Sequence, residues 1–164
     1  IIRKMIQEIS VVLPSLDEEE SLPNLVNEII SEFEGKAITY EIIIVDDGST
    51  DELPTLLTQA AQEEAPFTFI HHRIEETSPG KRDALRFGVG QASGEWLLFT
   101  DVDCQPAGSA WASEMTAGHP DDVAAVLGVS WPKDGTPATG LARVQTLDAL
   151  YIMRLYHALY TQYL

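Results

Sequence analysis

The sequence lacks the features that mark disulfide-stabilised, membrane-spanning and signal-peptide-bearing proteins. It holds one cysteine, Cys104, so an intrachain disulfide is excluded, and without a partner thiol or nearby histidine we interpret this residue as packing. No run of about eighteen apolar residues predicts a membrane-spanning helix. The apolar start, residues 1–5, lacks methionine at its first position and is too short for a signal peptide.

Basic residues are also scarce. Ten Lys and Arg face 26 Asp and Glu, which gives a formal net charge of −16. Such a surface repels nucleic acid and anionic lipid, so neither is expected as a partner. The same negative charge disfavours a diphosphate ligand, unless a divalent cation or a local cluster of basic residues offsets the repulsion. The 164 residues suffice for one domain with a sizeable core, and we expect a single domain over 1–164.

Apolar runs alternate with amphipathic segments along the chain. The runs predict strands at 9–13, 40–45, 67–71, 96–100 and 123–129. Apolar residues at three-four spacing predict helices at 22–33, 53–61, 81–91, about 108–115 and 143–163. Ser49 and Glu52 have the spacing of a capping box for the second helix. This alternation predicts an α/β fold, with a doubly wound, mostly parallel, Rossmann-like sheet.

Acidic pairs follow two of the predicted strands. Asp46 and Asp47 end the second, and Asp101 and Asp103 follow the fourth. Alternation in an extended chain would point Asp101 and Asp103 the same way, and paired carboxylates suit Mg²⁺ or Mn²⁺. Asp101 and Asp103 could instead cap the following turn, and Asp46 and Asp47 could cap the second helix. Since ligands bind beyond the carboxyl ends of parallel strands, the two pairs together favour a metal-dependent nucleotide site.

Two cations begin the third predicted helix, directly after Gly80. Lys81 and Arg82 would lie at the positive end of the helix dipole, where a diphosphate binds readily. The alternative is a pair of solvated surface charges, the usual state of Lys and Arg.

The first acidic pair has a possible nucleotide role of its own. Asp46 or Asp47 could accept a hydrogen bond from a ribose hydroxyl or from a ring N–H of a base.

Four stretches in a fixed order, residues 9–19, 44–51, 80–85 and 92–106, make the chain resemble the family-two glycosyltransferases, which have the GT-A fold. The resemblance covers roughly residues 9–130. It implies a nucleotide-diphosphate-sugar donor, UDP- or GDP-linked, and a Mg²⁺ or Mn²⁺ ion. It also implies a saccharide or lipid acceptor, whose identity the sequence does not give.

The resemblance also implies roles for individual residues. Asp47 would meet the base, with Asp46 supporting it. Asp101 would approach the ribose or a metal-bound water, and Asp103 would bind the metal on the diphosphate. The remaining implied contacts, to the nucleoside or the diphosphate, are Pro14, Leu16, Glu18, Lys81 and Arg82.

Two departures from the family pattern are visible. Leu16 and Asp17 replace the usual Tyr-Asn, and leucine cannot stack on a base as an aromatic ring does. The family's acceptor half, with its catalytic carboxylate, normally follows the fifth strand. We therefore expect a donor-binding half truncated before the acceptor half, with the general base beyond Leu164. Any membrane association would come from segments beyond it, placing the full protein in the cytoplasm or on the cytoplasmic face of a membrane.

The expected reaction is metal-dependent, inverting transfer of a sugar to an acceptor hydroxyl. Three alternatives stay open. A donor-binding module without catalysis would share every motif. A sugar-phosphate nucleotidyltransferase would have a Gly-rich basic first loop, whereas residues 14–18 are acidic and lack glycine. An acidic phosphoacceptor domain would need a lone Asp ending the third strand, where this chain has His71 and His72.

Overall fold

The computed structural model describes residues 8–62, 68–71, 80–102, 110–116, 125–127 and 151–154. The strands are β1 (Glu8–Ser15), β2 (Thr39–Asp46), β3 (Thr68–His71), β4 (Trp96–Phe99), β5 (Ala125–Leu127) and β6 (Tyr151–Arg154). The helices are α1 (Leu22–Phe33), α2 (Leu53–Gln62), α3 (Lys81–Gln91) and α4 (Trp111–Thr116). None of the helices in these ranges has both the length and the apolar character that a bilayer crossing requires.

The strands form one six-stranded sheet in the order β3-β2-β1-β4-β6-β5. The pairs β2–β3, β1–β2 and β1–β4 are parallel, whereas β6 runs antiparallel to both β4 and β5. The predicted α/β fold with a mostly parallel sheet is therefore confirmed. Successive strands step outward from β1 to β3, and β4 then lies on the opposite side of β1. This reversal opens a crevice beyond the carboxyl ends of β1 and β4.

The prediction of a helix over 143–163 is wrong at residues 151–154. These residues form β6, with Trp96 opposite Arg154 and Phe99 opposite Tyr151. All of β4 is buried, so its outer edge needs hydrogen-bonding partners, and β6 supplies them. Pairing with a distant strand outweighs the local three-four periodicity. The rest of 143–163 lies outside the described residues.

Helices cover both faces of the sheet. On one face α1, α2 and α4 pack on alternate residues of β1 and β2, and the apolar spacing of α1 explains why Leu25, Ile29 and Phe33 are buried there. On the other face α3 packs closely. A Cβ on Gly88 would lie 2.5 Å from Val12 Cγ1, so a side chain there would push the helix outward. The N-terminus of α3 is thereby fixed close to the crevice.

Candidate functional site

A cavity of about 460 Å³ occupies the crevice beyond β1 and β4. Its lining comes from the end of β1 and the loop after it, the residue after β2, the start of α3 and the turn after β4. The lining residues are Pro14, Ser15, Leu16, Glu18, Asp47, Gly80, Lys81, Ala84, Asp101 and Val102. The structure thus brings most of the predicted binding residues together. Asp47 and Asp101, from strand ends on either side of β1, face the same space.

The loops that follow β1 and β2 hold each other through reciprocal hydrogen bonds. The Asp17 N–H donates to Ser49 Oγ at 2.8 Å, and the Thr50 N–H donates to Asp17 Oδ1 at 2.7 Å. Asp17 adopts a positive φ of 55°, a conformation that Asp tolerates better than most residues. The Thr50 N–H bond holds the pKa of the Asp17 carboxyl below its ordinary value, although desolvation opposes this. We call this arrangement the Asp17 clamp; it sets the position of Leu16 and Glu18 on the cavity wall.

A second pair of hydrogen bonds joins the same loops, two residues further along each. The Glu19 N–H donates to Asp51 Oδ2 at 3.0 Å, and the Glu52 N–H donates to Glu19 Oε2 at 2.8 Å. The predicted Ser49–Glu52 capping box is therefore wrong. The Ser49 hydroxyl donates to Asp46 Oδ1 instead, and Glu19 from the other loop caps the start of α2.

Asp46 and Asp47 have different environments. Asp46 is fully buried, and its Oδ1 accepts hydrogen bonds from the Ser49 N–H at 2.9 Å and from Ser49 Oγ at 2.5 Å. It is absent from the cavity lining and holds the loop after β2 through these bonds to Ser49, so a role for it in nucleotide binding stays a prediction. Asp47 lines the cavity, and its N–H donates to the Ser15 carbonyl at 2.9 Å. Of this pair, Asp47 is the residue placed to meet a ligand.

Lys81 and Asp101 form an ion pair within the cavity. The Asp101 side chain is 19% exposed and that of Lys81 is 54% exposed, so the pair lies at the boundary between protein and solvent. Arg82 differs, because its side chain is 94% exposed, approaches Asp83 only at 3.8 Å and does not line the cavity. Lys81 is thus brought to the site, whereas a ligand contact for Arg82 stays a prediction.

Asp103, the predicted metal ligand, lies outside the described residues. Among those that are described, no three His, Cys, Asp or Glu are grouped so that they could hold a metal ion. Mg²⁺ and similar cations are commonly held by one or two carboxylates together with phosphate oxygens and water. Asp101 beside a cavity large enough for a diphosphate fits that kind of site. It does not fit a cage built only from protein ligands.

Sequence reasoning missed two features of this site. Ser15 was seen only as part of a motif, yet it lines the cavity, and its buried hydroxyl has no hydrogen-bond partner in the described part of the chain. The Asp17 clamp was also missed. Its only sequence signal is a group of side chains with short polar ends in both loops, since nothing local shows that the two loops touch.

Comparisons with known proteins agree with this geometry. The family described as Glycosyl transferase family 2 matches residues 10–163. A curated relative, undecaprenyl-phosphate 4-deoxy-4-formamido-L-arabinose transferase of Yersinia enterocolitica, is 30% identical over 146 residues, which cover 89% of this chain and 40% of the relative. The chain therefore spans about 40% of the length of the curated relatives it first matches.

Two solved structures share the fold. A mannosyltransferase from Pyrobaculum calidifontis in complex with GDP-Man and Mn²⁺ superposes with a TM-score of 0.65 at 22% identity, covering 90% of this chain and 44% of that one. Glucosyl-3-phosphoglycerate synthase from Mycobacterium tuberculosis, in complex with Mn²⁺, UDP and glucosyl-3-phosphoglycerate, gives 0.62 at 23% identity, covering 90% and 57%. The family match and the shared fold together show that this chain belongs to glycosyl transferase family 2 and has its GT-A fold.

Proposed function

We propose that this chain binds a nucleotide-diphosphate sugar and that the whole protein transfers the sugar, with inversion, to a nucleophilic oxygen atom of its acceptor. The observation that carries the proposal is the meeting of Asp47, Lys81 and Asp101 in one cavity at the reversal of strand order. These residues come from three separate elements. Membership of the family supports sugar transfer, and UDP and GDP-Man in structures of the same fold support a nucleotide-linked donor.

Each lining residue has a chemical task in this proposal. Asp47 accepts a hydrogen bond from the base, at the edge of a nucleoside pocket formed by Pro14, Leu16 and Glu18. Leu16, with 52% of its surface exposed, offers apolar contact but no ring for stacking. Lys81 contacts the diphosphate, where its charge stabilises the leaving group. The buried Asp46 keeps the Asp47 loop in place through Ser49.

Asp101 and Asp103 are the residues we propose to hold Mg²⁺ or Mn²⁺. A cation bound there supplies positive charge to the leaving diphosphate. The carboxylate oxygens suit either ion. The Mn²⁺ named in both solved structures supports a divalent metal without choosing between the two for this chain. The lining also carries the carboxylates of Glu18, Asp47 and Asp101, which repel an anionic donor. A divalent cation bound with the donor would offset this repulsion.

For the acceptor we propose a lipid phosphate, used by the whole protein at the cytoplasmic face of a membrane. The support is the name of the curated relative, which gives undecaprenyl phosphate as its acceptor. We assign the general base to no described residue. Transfer is tested with the whole protein and polyprenyl phosphate in vesicles, by following the release of nucleoside diphosphate. Release only when the lipid phosphate is present supports this acceptor, and equal release without it contradicts the proposal.

Donor binding is tested by titration calorimetry of UDP-sugars and GDP-sugars, with and without Mn²⁺. We expect binding heat for at least one nucleotide, and tighter binding with the metal. Asp47→Asn removes a charged acceptor, so affinity falls about tenfold or more. The matched control is Glu28→Gln, which neutralises an exposed carboxylate on α1 and leaves affinity unchanged. The absence of metal-dependent heat for every donor would refute the proposal.

A further inference from the structure

The charged residues on the cavity wall are unequal in number. Its described lining carries the carboxylates of Glu18, Asp47 and Asp101 and the ammonium group of Lys81. Lys81 is committed to Asp101, whose side chain is mostly buried. In this structure Lys81 therefore neutralises the carboxylate on which a cation would bind. It does so with the ammonium group that a diphosphate would contact.

A ligand that arrives alone must break this pair. A divalent cation would displace Lys81 from Asp101, and the Lys81 ammonium group would then lie close to the cation and be repelled by it. A nucleoside diphosphate would draw Lys81 away and leave the Asp101 carboxylate uncompensated beside the negative charges of the phosphates. When both ligands are present, the cation takes the place of Lys81 on Asp101 and the phosphate takes the place of Asp101 on Lys81. Neither charge is then left uncompensated.

We propose that the Lys81–Asp101 ion pair is an exchange element that makes cation and nucleoside diphosphate bind cooperatively and keeps either one from binding tightly alone. This rests on the proposed function, because it concerns the same cavity. The coupling is reciprocal: the factor by which the nucleotide raises cation affinity equals the factor by which the cation raises nucleotide affinity. Couplings of this kind typically amount to about 5- to 150-fold.

The test measures Mn²⁺ affinity from the electron paramagnetic resonance signal of the free ion, without nucleotide and at saturating UDP or GDP. In the wild type, we expect weak binding of Mn²⁺ alone and a gain of at least about fivefold with the nucleotide. In Lys81→Met, Asp101 is already available, so Mn²⁺ alone should bind at least about fivefold more tightly, and the gain from the nucleotide should shrink.

Two variants separate exchange from a general charge effect. Arg86→Met removes a positive charge from an exposed position on the same helix, five residues further on, and should leave both Mn²⁺ affinities unchanged at physiological salt. Lys81→Arg keeps a cation beside Asp101 and should preserve the coupling. Circular dichroism confirms that each variant is folded.

The possible failures are distinguishable. If Lys81→Met binds Mn²⁺ alone no better than the wild type, or if Arg86→Met gains as much, the exchange is refuted while donor binding stands. A wild type that binds Mn²⁺ and nucleotide independently also refutes it. A wild type that binds neither nucleotide under any condition overturns the proposed function and the exchange together.

Discussion

Acidic side chains lie at both ends of the parallel strands, Glu41 towards their amino ends and Asp47 with Asp101 beyond their carboxyl ends. Glu41 Oε1 accepts hydrogen bonds from Ser10 Oγ at 2.5 Å, from the Ser93 N–H at 2.7 Å and from Ser93 Oγ at 2.8 Å. These donors belong to β1 and to the turn before β4, so the carboxylate ties three strands together. Asp47 and Asp101 instead face a cavity. A carboxylate surrounded by the chain's own donors serves the fold, and one beside open space can serve a ligand.

The protonation of Glu41 reflects this difference. Burial raises the pKa of Glu41, but the hydrogen bonds from Ser10 and Ser93 outweigh this effect, so the net pKa lies below its ordinary value of 4.5. A group with a lowered folded-state pKa stabilises the protein above its unfolded pKa, and this contribution is lost as pH falls through the folded-state value. The hydrogen bonds that Glu41 accepts from Ser10 and Ser93 should therefore contribute less to stability in acid.

The largest effect is expected from a side chain at Gly94. A Cβ there would lie 2.6 Å from the Ser10 backbone nitrogen and 2.7 Å from the Ile9 carbonyl carbon, and β1 cannot move away without breaking its pairing. Gly94→Ala should lower the free energy of unfolding by about 3 kcal/mol, measured by urea denaturation.

Gly90 provides the matched control, because a Cβ on it meets nothing within 4 Å. Gly90→Ala, near the end of α3, should raise the free energy of unfolding by about 0.5–1 kcal/mol through the helix propensity of alanine. If Gly94→Ala proves as stable as the wild type, the close approach of the turn to β1 is not as described.

A smaller loss is expected from Glu41→Ala, which removes the acceptor of three hydrogen bonds. Near neutral pH it should cost about 1.5–3 kcal/mol of unfolding free energy. The difference from the wild type should begin to narrow as pH falls below the ordinary pKa of 4.5, where the unfolded chain takes up the proton first. It should disappear once pH has fallen through the lower pKa of the folded protein. Urea denaturation over a pH series measures this. A deficit that stays constant into acid would contradict the role assigned to the charge.

The smallest effect concerns the Asp17 clamp at the carboxyl ends of the strands. Asp17→Ala removes the bonds to Thr50 and places alanine at a positive φ, which loosens the loop that carries Leu16 and Glu18. Nucleotide affinity should fall about two- to tenfold by calorimetry. Asp17→Asn keeps an acceptor and tolerates the same backbone, so it should restore binding. Equal affinities for all three proteins would show that the clamp does not shape the pocket.

The elements of the first hundred residues could be predicted because their signals are local. The bounds of α3 follow from Gly80 before it and from the apolar face that includes Ala84 and Gly88, and strands β1 and β2 follow from continuous apolar runs. The strand β6 could not be predicted, because a run of four residues has no decisive period. Its conformation depends on pairing with β4, far earlier in the chain, and with β5 on its other side.

The site divides in the same way. It could be predicted that Asp47, Lys81 and Asp101 lie at one edge of the sheet, because strand ends and helix starts have fixed positions in a parallel sheet. The capping box failed because Ser49 has a closer partner in Asp46. Two features, the Lys81–Asp101 pair and the Asp17 clamp, depend on how close separate segments of the chain come to each other. The spacing of residues along the sequence does not predict such distances.

The position of β6 has a consequence for how the molecule is assembled. The strand that leads to Asp101 gains its outer neighbour only when residues 151–154 return to it, after the rest of the described chain has been made. Such long-range closure is slow compared with the pairing of β1 and β2. During synthesis on the ribosome, we therefore expect the nucleoside side of the pocket to form before the side that carries Asp101.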